Sequence, residues 1–171
     1  GAEKVLILPN NKNIIMAAQQ AAEVSEEEVI VIPSKTVPQG LTAILAFNPS
    51  ADLKVNESVM NEALKHVKTG QITFAVRDTS IDGLEIAKND FMGIADGKIV
   101  IKNTDKLKAA ENLLANMLDE DSEILTIIQG EGVTTDEVNA LVEYVEENYG
   151  DVEIEIHNGL QPLYSFIFAI E

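Results

Sequence analysis

The sequence predicts an α/β protein of two α/β lobes, the first with a mostly parallel sheet and the second with a mixed sheet. Residues 5–8 and 29–32 are short apolar runs that each end at a proline and precede a helical pattern, which is a strand-to-helix junction written twice. In the second half, Asp96-Gly97 separates two apolar runs as a hairpin turn does. We expect the lobes to cover residues 1–79 and 80–171.

The first lobe is predicted to run β-α-β-α-α-β. Asn10 or Asn11 is a suitable N-cap for the first helix, and Pro38 fits the first turn of the second. One helix between the first two strands favours a right-handed parallel βαβ unit. The expected strands are 5–8, 29–32 and 71–76, and the expected helices are 13–22, a segment from Pro38, and 55–68, ended by Thr69-Gly70.

The second lobe opens with residues 81–95, which are compatible with a strand and loop leading into the hairpin. A helix over 105–118 is expected to be capped by Asn103 or Thr104. Thr134 and Glu137 have the spacing of a capping box, which predicts a helix to about Tyr149. The expected strands are 91–95, 98–102, 124–128, 152–156 and 164–170.

Composition and charge exclude several classes of protein. The 171 residues are 46% hydrophobic and contain no Cys, so a core is expected, without disulfides or Cys-zinc sites. The net charge is −17, with 18 acidic and 5 basic side chains in residues 86–171, a surface that repels nucleic acid. Neither a transmembrane segment nor a secretory signal is predicted, so a cytoplasmic protein is expected. Gly1 is interpreted as a cloning remnant on an excised piece of a longer protein.

Polar residues follow the first two strands, where open α/β sheets bind ligands or partners. Three Asn and one Lys within residues 10–13 exceed what helix capping needs, and they suit an anion at a helix N-terminus. Hydroxyl and amide groups after the second strand suit a carboxylate or a partner backbone, or plain capping. The candidate binding residues are Asn10, Asn11, Lys12, Ser34, Thr36 and Gln39.

Two further segments carry candidates for partner or ligand binding. Arg77, the only Arg, precedes Asp78 and Thr79, and it suits either a local ion pair or a bidentate contact with a carboxylate or phosphate. His157 titrates near neutrality but has no second ligand at metal spacing, so interaction or turn structure is favoured over catalysis. This second segment contributes His157, Asn158, Gly159 and Gln161.

Catalytic motifs do not appear in the sequence. It has no Gly-x-x-x-x-Gly-Lys-Ser/Thr, no Gly-x-Gly-x-x-Gly and no Gly-x-Ser-x-Gly. Gly130-Glu131-Gly132 is interpreted as a strand-to-helix loop. We therefore predict no catalytic residue, no metal site and no cofactor in this chain.

The junctions, read with residues 75–79 and 157–164, resemble the C-terminal region of the bacterial fatty-acid kinase catalytic subunit over nearly the whole chain. This family is also described as dihydroxyacetone-kinase-like (glycerone-kinase-like) or DAK-phosphatase-like. The resemblance implies a fold related to the DegV-type fatty-acid-binding proteins. Family members commonly carry Gly-Gly-Gln-Pro where this chain has Gly159-Leu160-Gln161-Pro162, so Leu160 replaces the second glycine.

The resemblance also implies a function. The parent protein is expected to transfer phosphate from ATP to a fatty acid held by a separate carrier, with ATP and Mg²⁺ on its own N-terminal kinase domain. This chain is then expected to dock the acyl-carrying protein and to be non-catalytic alone. The alternatives are a stand-alone fatty-acid or small-ligand-binding domain and, with no nucleophile or metal motif to support it, an independent hydrolase.

Overall fold

The computed structural model describes residues 1–81 and 83–171, and the chain divides into two compact units, Gly1–Val67 and Lys68–Glu171. The expected boundary lay near residue 79, with the third strand in the first lobe. In the structure that strand, β3 (Lys68–Phe74), pairs with strands of the second unit on both sides. Thr69 and Gly70, expected to end a helix, lie inside β3, so that prediction is wrong.

The first unit contains one parallel βαβ unit followed by two helices. Its strands pair in register from Lys4 opposite Glu28 to Ile7 opposite Val31, which confirms the predicted parallel pairing. The parallel sheet consists of these two strands within the described residues, so it is smaller than expected. The elements are β1 (Lys4–Ile7), α1 (Ile15–Glu23), β2 (Glu28–Val31), α2 (Val37–Leu45) and α3 (Leu53–Ala63).

Helix α2 packs on the first unit through its small residues. Pro38, Gly40 and Ala43 are buried, whereas the larger Leu41 and Leu45 point outward, Leu45 with 83% of its surface exposed. Small side chains let the helix backbone approach the core closely. The consequence is that the larger apolar side chains of α2 remain in solvent.

The second unit is built on a mixed six-stranded sheet in the order β7-β6-β3-β10-β8-β9, in which only β8 and β9 are parallel neighbours. This confirms the predicted mixed sheet. A small separate hairpin, β4–β5, follows β3. The remaining elements are β4 (Thr79–Ile81), β5 (Leu84–Ile86), β6 (Phe91–Ala95), β7 (Lys98–Asn103), α4 (Lys106–Met117), β8 (Ile124–Gln129), α5 (Thr135–Asn148), β9 (Glu153–Asn158) and β10 (Tyr164–Ile170).

The main core lies where α4 and α5 contribute buried side chains against the six-stranded sheet. Strand β10 is central in this sheet, and the rings of Phe166 and Phe168 stack with centroids 5.8 Å apart. The two rings alone remove a large apolar area from water, which strongly favours folding. The core also contains Ile72, Leu113, Leu114, Leu125, Ile127, Leu141 and Ile170.

Local turn and cap signals explain several boundaries. Asp96 and Gly97 have φ of 46° and 84°, the two positive angles that a type I′ hairpin turn needs, so the predicted turn is confirmed. The Thr134–Glu137 capping box is also present. Helix α4 is capped by Asp105, whose side chain accepts a hydrogen bond from the Lys108 N–H, rather than by Asn103 or Thr104. None of the helices in the described ranges has the length and apolarity to span a bilayer.

Candidate binding surfaces at the strand ends

Asn10 and Ser34 join the ends of the first two strands. Ser34 Oγ accepts a hydrogen bond from the Asn10 N–H at 3.0 Å and donates one to Asn10 Oδ1 at 2.8 Å. Ser34 is buried, and Asn10 has a φ of 52°, a left-handed conformation that Asn tolerates better than most residues. The two junctions therefore meet as predicted, and their first polar residues bind each other.

Neither Asn10 nor Asn11 caps α1, so that prediction is wrong. The helix begins after Ile14 without a side-chain cap, and Asn11 Oδ1 instead accepts a hydrogen bond from the Asn13 N–H at 2.9 Å, which closes a local turn. Lys12 is exposed in this turn. The first junction thus offers one surface cation beside an internally bonded Asn.

The second junction is organised around the start of α2. Thr36 is the N-cap and accepts a hydrogen bond from the Gln39 N–H at 3.3 Å. Gln39 uses both ends of its amide, since Oε1 accepts from the Lys35 N–H at 2.8 Å and Nε2 donates to the Leu64 carbonyl at 3.2 Å. Its side chain therefore ties α2 to the residue that follows α3, which is a structural role.

An apolar cavity of about 500 Å³ lies in the first unit between β1 and the two later helices. Its polar lining comes from Lys4 and Asn56. Asn56 accepts a hydrogen bond from the Asn48 N–H and donates one to the Asn48 carbonyl, both at 2.8 Å. Apolar lining residues include Leu6, Leu8, Ile44, Phe47 and Met60. The sequence analysis missed this cavity, because the large residues of α2 matched an ordinary core stripe and gave no sign of a gap beneath them.

The segment from Arg77 to Thr79 follows β3 and is mainly solvent-facing. Arg77 is exposed and forms no ion pair with Asp78 within the described residues. Asp78 Oδ1 accepts a hydrogen bond from the Lys88 N–H at 2.7 Å, and Thr79 begins β4 opposite Ile86. The local ion pair is therefore not observed, and the guanidinium group points into solvent.

The loop between β9 and β10 is held by hydrogen bonds to the strand and loop beside it. The Gly159 N–H donates to the Gln129 carbonyl at 3.0 Å, and Gln161 Nε2 donates to the Ile128 carbonyl at 3.0 Å. The Gln161 carbonyl accepts from the Glu131 N–H at 3.0 Å. A Cβ on Gly159 would lie 2.2 Å from Gln161 Oε1, so only glycine fits this turn without a shift of the amide.

Two leucines of this loop occupy left-handed backbone conformations while projecting into solvent. Leu160 has a φ of 53° with 66% of its surface exposed, and Leu163 has a φ of 69° with 65% exposed. Such backbone angles cost a non-glycine residue of order 1–2 kcal/mol. Sequence reasoning did not single out Leu163, although the leucine at position 160, where relatives of the suspected family commonly have glycine, was a signal for the loop.

The candidate residues form two groups that belong to different units. The first unit brings together Asn10, Ser34 and the start of α2. In the second unit, no hydrogen bond or ion pair joins residues 77–79 to residues 157–161 in the part of the chain that the structure describes. His157 is exposed and lies 3.7 Å from a Glu155 carboxylate oxygen. No cluster of three metal-ligating His, Asp or Glu side chains occurs among the described residues.

The fold and the paired strand ends define an α/β protein of the DegV type. The chain belongs to the FakA-like C-terminal family of fatty acid kinases, which matches residues 1–171. It is 54% identical over 170 residues to protein YloV of Bacillus subtilis and 49% identical over 169 residues to an uncharacterized protein of Staphylococcus epidermidis. In both cases 99% of this chain aligns, but it spans only 31% of the relative's length.

Solved structures with this fold include fatty-acid-binding proteins. The Streptococcus pneumoniae fatty acid kinase B3 protein loaded with linoleic acid has a TM-score of 0.67 at 14% identity, covering 100% of this chain and 72% of that one. A hypothetical protein from Thermotoga maritima with a fatty-acid-binding function has a TM-score of 0.68 at 17% identity, covering 99% and 69%. These similarities confirm the expected DegV-like fold.

Proposed function

We propose that this chain is the part of a fatty acid kinase catalytic subunit that docks the acyl-carrying fatty-acid-binding protein. Two findings support the proposal: the chain belongs to a family of C-terminal regions of such kinases, and it shares its fold with a fatty-acid-loaded protein of a fatty acid kinase. In this proposal the chain recognises the loaded carrier and does not itself transfer the phosphoryl group.

The observation that carries the proposal is the exposure of Leu160 and Leu163 on a strongly acidic unit. The second unit contains 21 acidic and 7 basic side chains, against 8 and 5 in the first. Holding two large apolar side chains in water at left-handed backbone angles costs free energy that folding alone does not recover. A partner that covers them and carries positive charge would recover it.

The strand ends of the first unit support the same division of labour. In related α/β folds this edge of the sheet is where small ligands bind. Here Asn10 and Ser34 satisfy each other, and Gln39 is bonded to backbone at both ends. These groups stabilise the junctions instead of presenting a polar pocket for the head group of a ligand.

The chemical step is assigned to another part of the parent protein. We propose that its N-terminal kinase domain binds ATP and Mg²⁺ and phosphorylates the fatty acid that the docked carrier presents. Such a reaction draws on the ATP pool of the cytoplasm, which is the location we propose.

Calorimetric titration of this chain with a linoleate-loaded fatty-acid-binding protein from the same organism tests the proposal. We expect saturable binding with a Kd below about 100 μM, and no acyl phosphate when ATP and Mg²⁺ are added. Arg77→Ala and the pair Leu160→Ser/Leu163→Ser should weaken binding, while Leu45→Ser, which removes an equally exposed leucine from the first unit, should not. Absence of binding by the unmodified chain, or acyl phosphate formed by the chain alone, would contradict the proposal.

The apolar cavity supports a second candidate function, direct binding of a fatty acid or small apolar ligand. Its volume of about 500 Å³ lies within the range of small-molecule sites, and Leu6, Leu8 and Met60 give it an apolar lining. Lys4 at the cavity is near a carboxylate already, since its Nζ lies 3.9 Å from Glu28. Mass spectrometry of the purified chain distinguishes the two functions: a stoichiometric co-purified fatty acid that Met60→Trp displaces would favour direct binding.

A further inference from the structure

Strand β9 is an edge strand that pairs with β8 alone among the described strands. The Glu153 N–H donates to the Glu123 carbonyl at 2.8 Å and the Gly159 N–H donates to the Gln129 carbonyl at 3.0 Å, so the odd-numbered residues direct their backbone groups toward β8. In a parallel strand the alternate residues direct theirs to the opposite side. Ile154, Ile156 and Asn158 therefore present N–H and C=O groups to the open edge.

The side chains of β9 differ between the two faces of the sheet. Glu153, Glu155 and His157 share one face and are exposed. Ile154 and Ile156 share the other, where Ile154 packs against the main core but Ile156 keeps 48% of its surface exposed. The exposed apolar surface thus continues from Ile156 toward Leu160 and lies beside a row of carboxylates.

We propose that β9 receives an extended segment of the acyl-carrying partner by strand addition. The segment forms backbone hydrogen bonds with Ile154, Ile156 and Asn158, places Lys or Arg side chains against Glu153 and Glu155, and covers Ile156 with an apolar side chain. This inference rests on the proposed docking function and assigns that docking to one edge of the sheet.

Charge identifies the chemistry of the occupant. No Lys or Arg follows Lys108 in the sequence, so the acidic side chains of β9 have no cation of their own strand or loop to pair with. Carboxylates on an edge strand repel an identical strand, which opposes pairing of β9 with β9 of another copy. A segment with alternating basic residues relieves this repulsion.

The opposite edge of the same sheet does not supply that segment from a second copy. Strand β7 contains two lysines, but Lys102 donates to the Glu85 carbonyl and lies 3.6 Å from an Asp90 carboxylate oxygen. Pairing β7 of one copy with β9 of the next would also produce an open chain of molecules and not a closed oligomer. The occupant is therefore assigned to the partner protein.

A proline substitution tests the backbone part of the inference. Ile156→Pro removes an outward N–H, which an edge strand tolerates in folding, whereas Ile156→Ala removes the side chain and keeps the donor. Measured by titration with the linoleate-loaded fatty-acid-binding protein, Ile156→Pro is expected to weaken binding at least about tenfold and Ile156→Ala about threefold. Should Ile156→Pro not fold, Asn158→Pro against Asn158→Ala makes the same comparison. Equal affinity for both members of the folded pair would overturn strand addition.

A charge reversal tests the side-chain part. Glu153→Lys/Glu155→Lys is expected to weaken binding at least about tenfold at low salt and to flatten its salt dependence. The control Glu146→Lys/Glu147→Lys makes the same charge change on the exposed end of α5 and should have little effect. Equal losses in the two variants would show that only net charge matters, which would overturn the assignment to β9.

Hydrogen exchange supplies a direct readout and separates the two proposals. On adding the carrier, the amides of Ile154, Ile156 and Asn158 should become protected, while the other exposed strands of the second unit do not. A carrier that binds without protecting these amides would overturn this inference and leave the docking function standing. Protection accompanied by self-association of the chain without carrier would identify a second copy as the occupant and also overturn it.

Discussion

The side chain of Asn10 fills the space above Gly40, so that a methyl group added to Gly40 would lie 2.0 Å from Asn10 Oδ1. The three atoms nearest to that methyl group all belong to Asn10. The same Asn10 oxygen accepts the Ser34 hydroxyl hydrogen bond. The first helix-to-strand contact of the unit therefore depends on a glycine in the middle of α2.

Gly40→Ala should destabilise the chain by about 2 kcal/mol, because the methyl group displaces Asn10 and breaks its contact with Ser34. In the background of Asn10→Gly, which suits the positive φ at position 10, the same substitution should be neutral or stabilising by up to about 1 kcal/mol, since alanine is preferred in helices. A double-mutant cycle from urea unfolding measures the coupling. Additive effects would contradict this account of Gly40.

Ser34→Ala should cost about 1–2 kcal/mol, because it removes two hydrogen bonds and leaves the Asn10 N–H without its partner in a part-buried site. Lys12→Ala, at an exposed position of the same junction, is the control and should change the stability by less than about 0.5 kcal/mol. Both values come from urea unfolding followed by circular dichroism. An equal effect of the two substitutions would show that the junction is not held by the Asn10–Ser34 pair.

Leu160→Gly should separate stability from docking. Glycine accepts the φ of 53° without strain, so the variant is expected to be more stable by about 0.5–1 kcal/mol after allowing for its freedom in the unfolded chain. The same variant should bind the acyl-carrying protein several-fold more weakly, because an exposed contact is lost. The melting temperature and the Kd are measured on one preparation. A less stable variant with unchanged binding would contradict both halves of the prediction.

Acid should weaken the link between α4 and α5. Lys106 Nζ lies 2.6 Å from Glu137 Oε1. Partial burial raises the pKa of Glu137, but the hydrogen bond and charge of Lys106 and the hydrogen bonds from Thr134 outweigh this and hold the pKa below its ordinary value. A carboxyl whose pKa is lowered by folding stabilises the folded state above its unfolded pKa, about 4.3, and loses that contribution as the pH falls through the folded pKa.

Glu137→Gln should therefore lower the stability by about 1 kcal/mol at pH 7 and by progressively less as the pH falls below about 4.3. Unfolding of both proteins at several pH values measures this convergence. Glu143→Gln, on the exposed side of α5, is the control. A difference between Glu137→Gln and the unmodified chain that stays constant with pH would contradict the role of the Lys106–Glu137 pair.

Periodicity and turn chemistry predicted the elements with local signals. The Asp96-Gly97 turn, the Thr134–Glu137 capping box and the parallel βαβ unit were all readable from spacing, because each is determined by neighbours in sequence. The place of β3 was not, since residues 68–74 follow α3 directly but pair with β6 and β10. Pairing between distant strands is decided by tertiary packing, and a pattern of alternating residues does not specify the partner.

The candidate residues were predicted with mixed success for a similar reason. The meeting of Asn10 and Ser34 followed from their positions after adjacent strands. Their mutual hydrogen bonds did not, because an asparagine beside a helix start has the same sequence signature as a cap. The left-handed angle of Leu163 and the open edge of β9 had no local signal, since leucine does not prefer that conformation and a strand's place in a sheet depends on the other strands.

Strand β10 connects two parts of the sheet that have no other strand-to-strand link among the described residues, β7-β6-β3 on one side and β8-β9 on the other. Its residues are translated after those of the five strands that it unites, so a nascent chain displays two incomplete half-sheets with exposed backbone edges until 164–170 leave the ribosome. The bulk of the ribosome and any chaperone there would have to shield those edges. Late completion of the sheet makes the unit slow to reach its native state relative to its size, and vulnerable to premature chain termination before the end of β10.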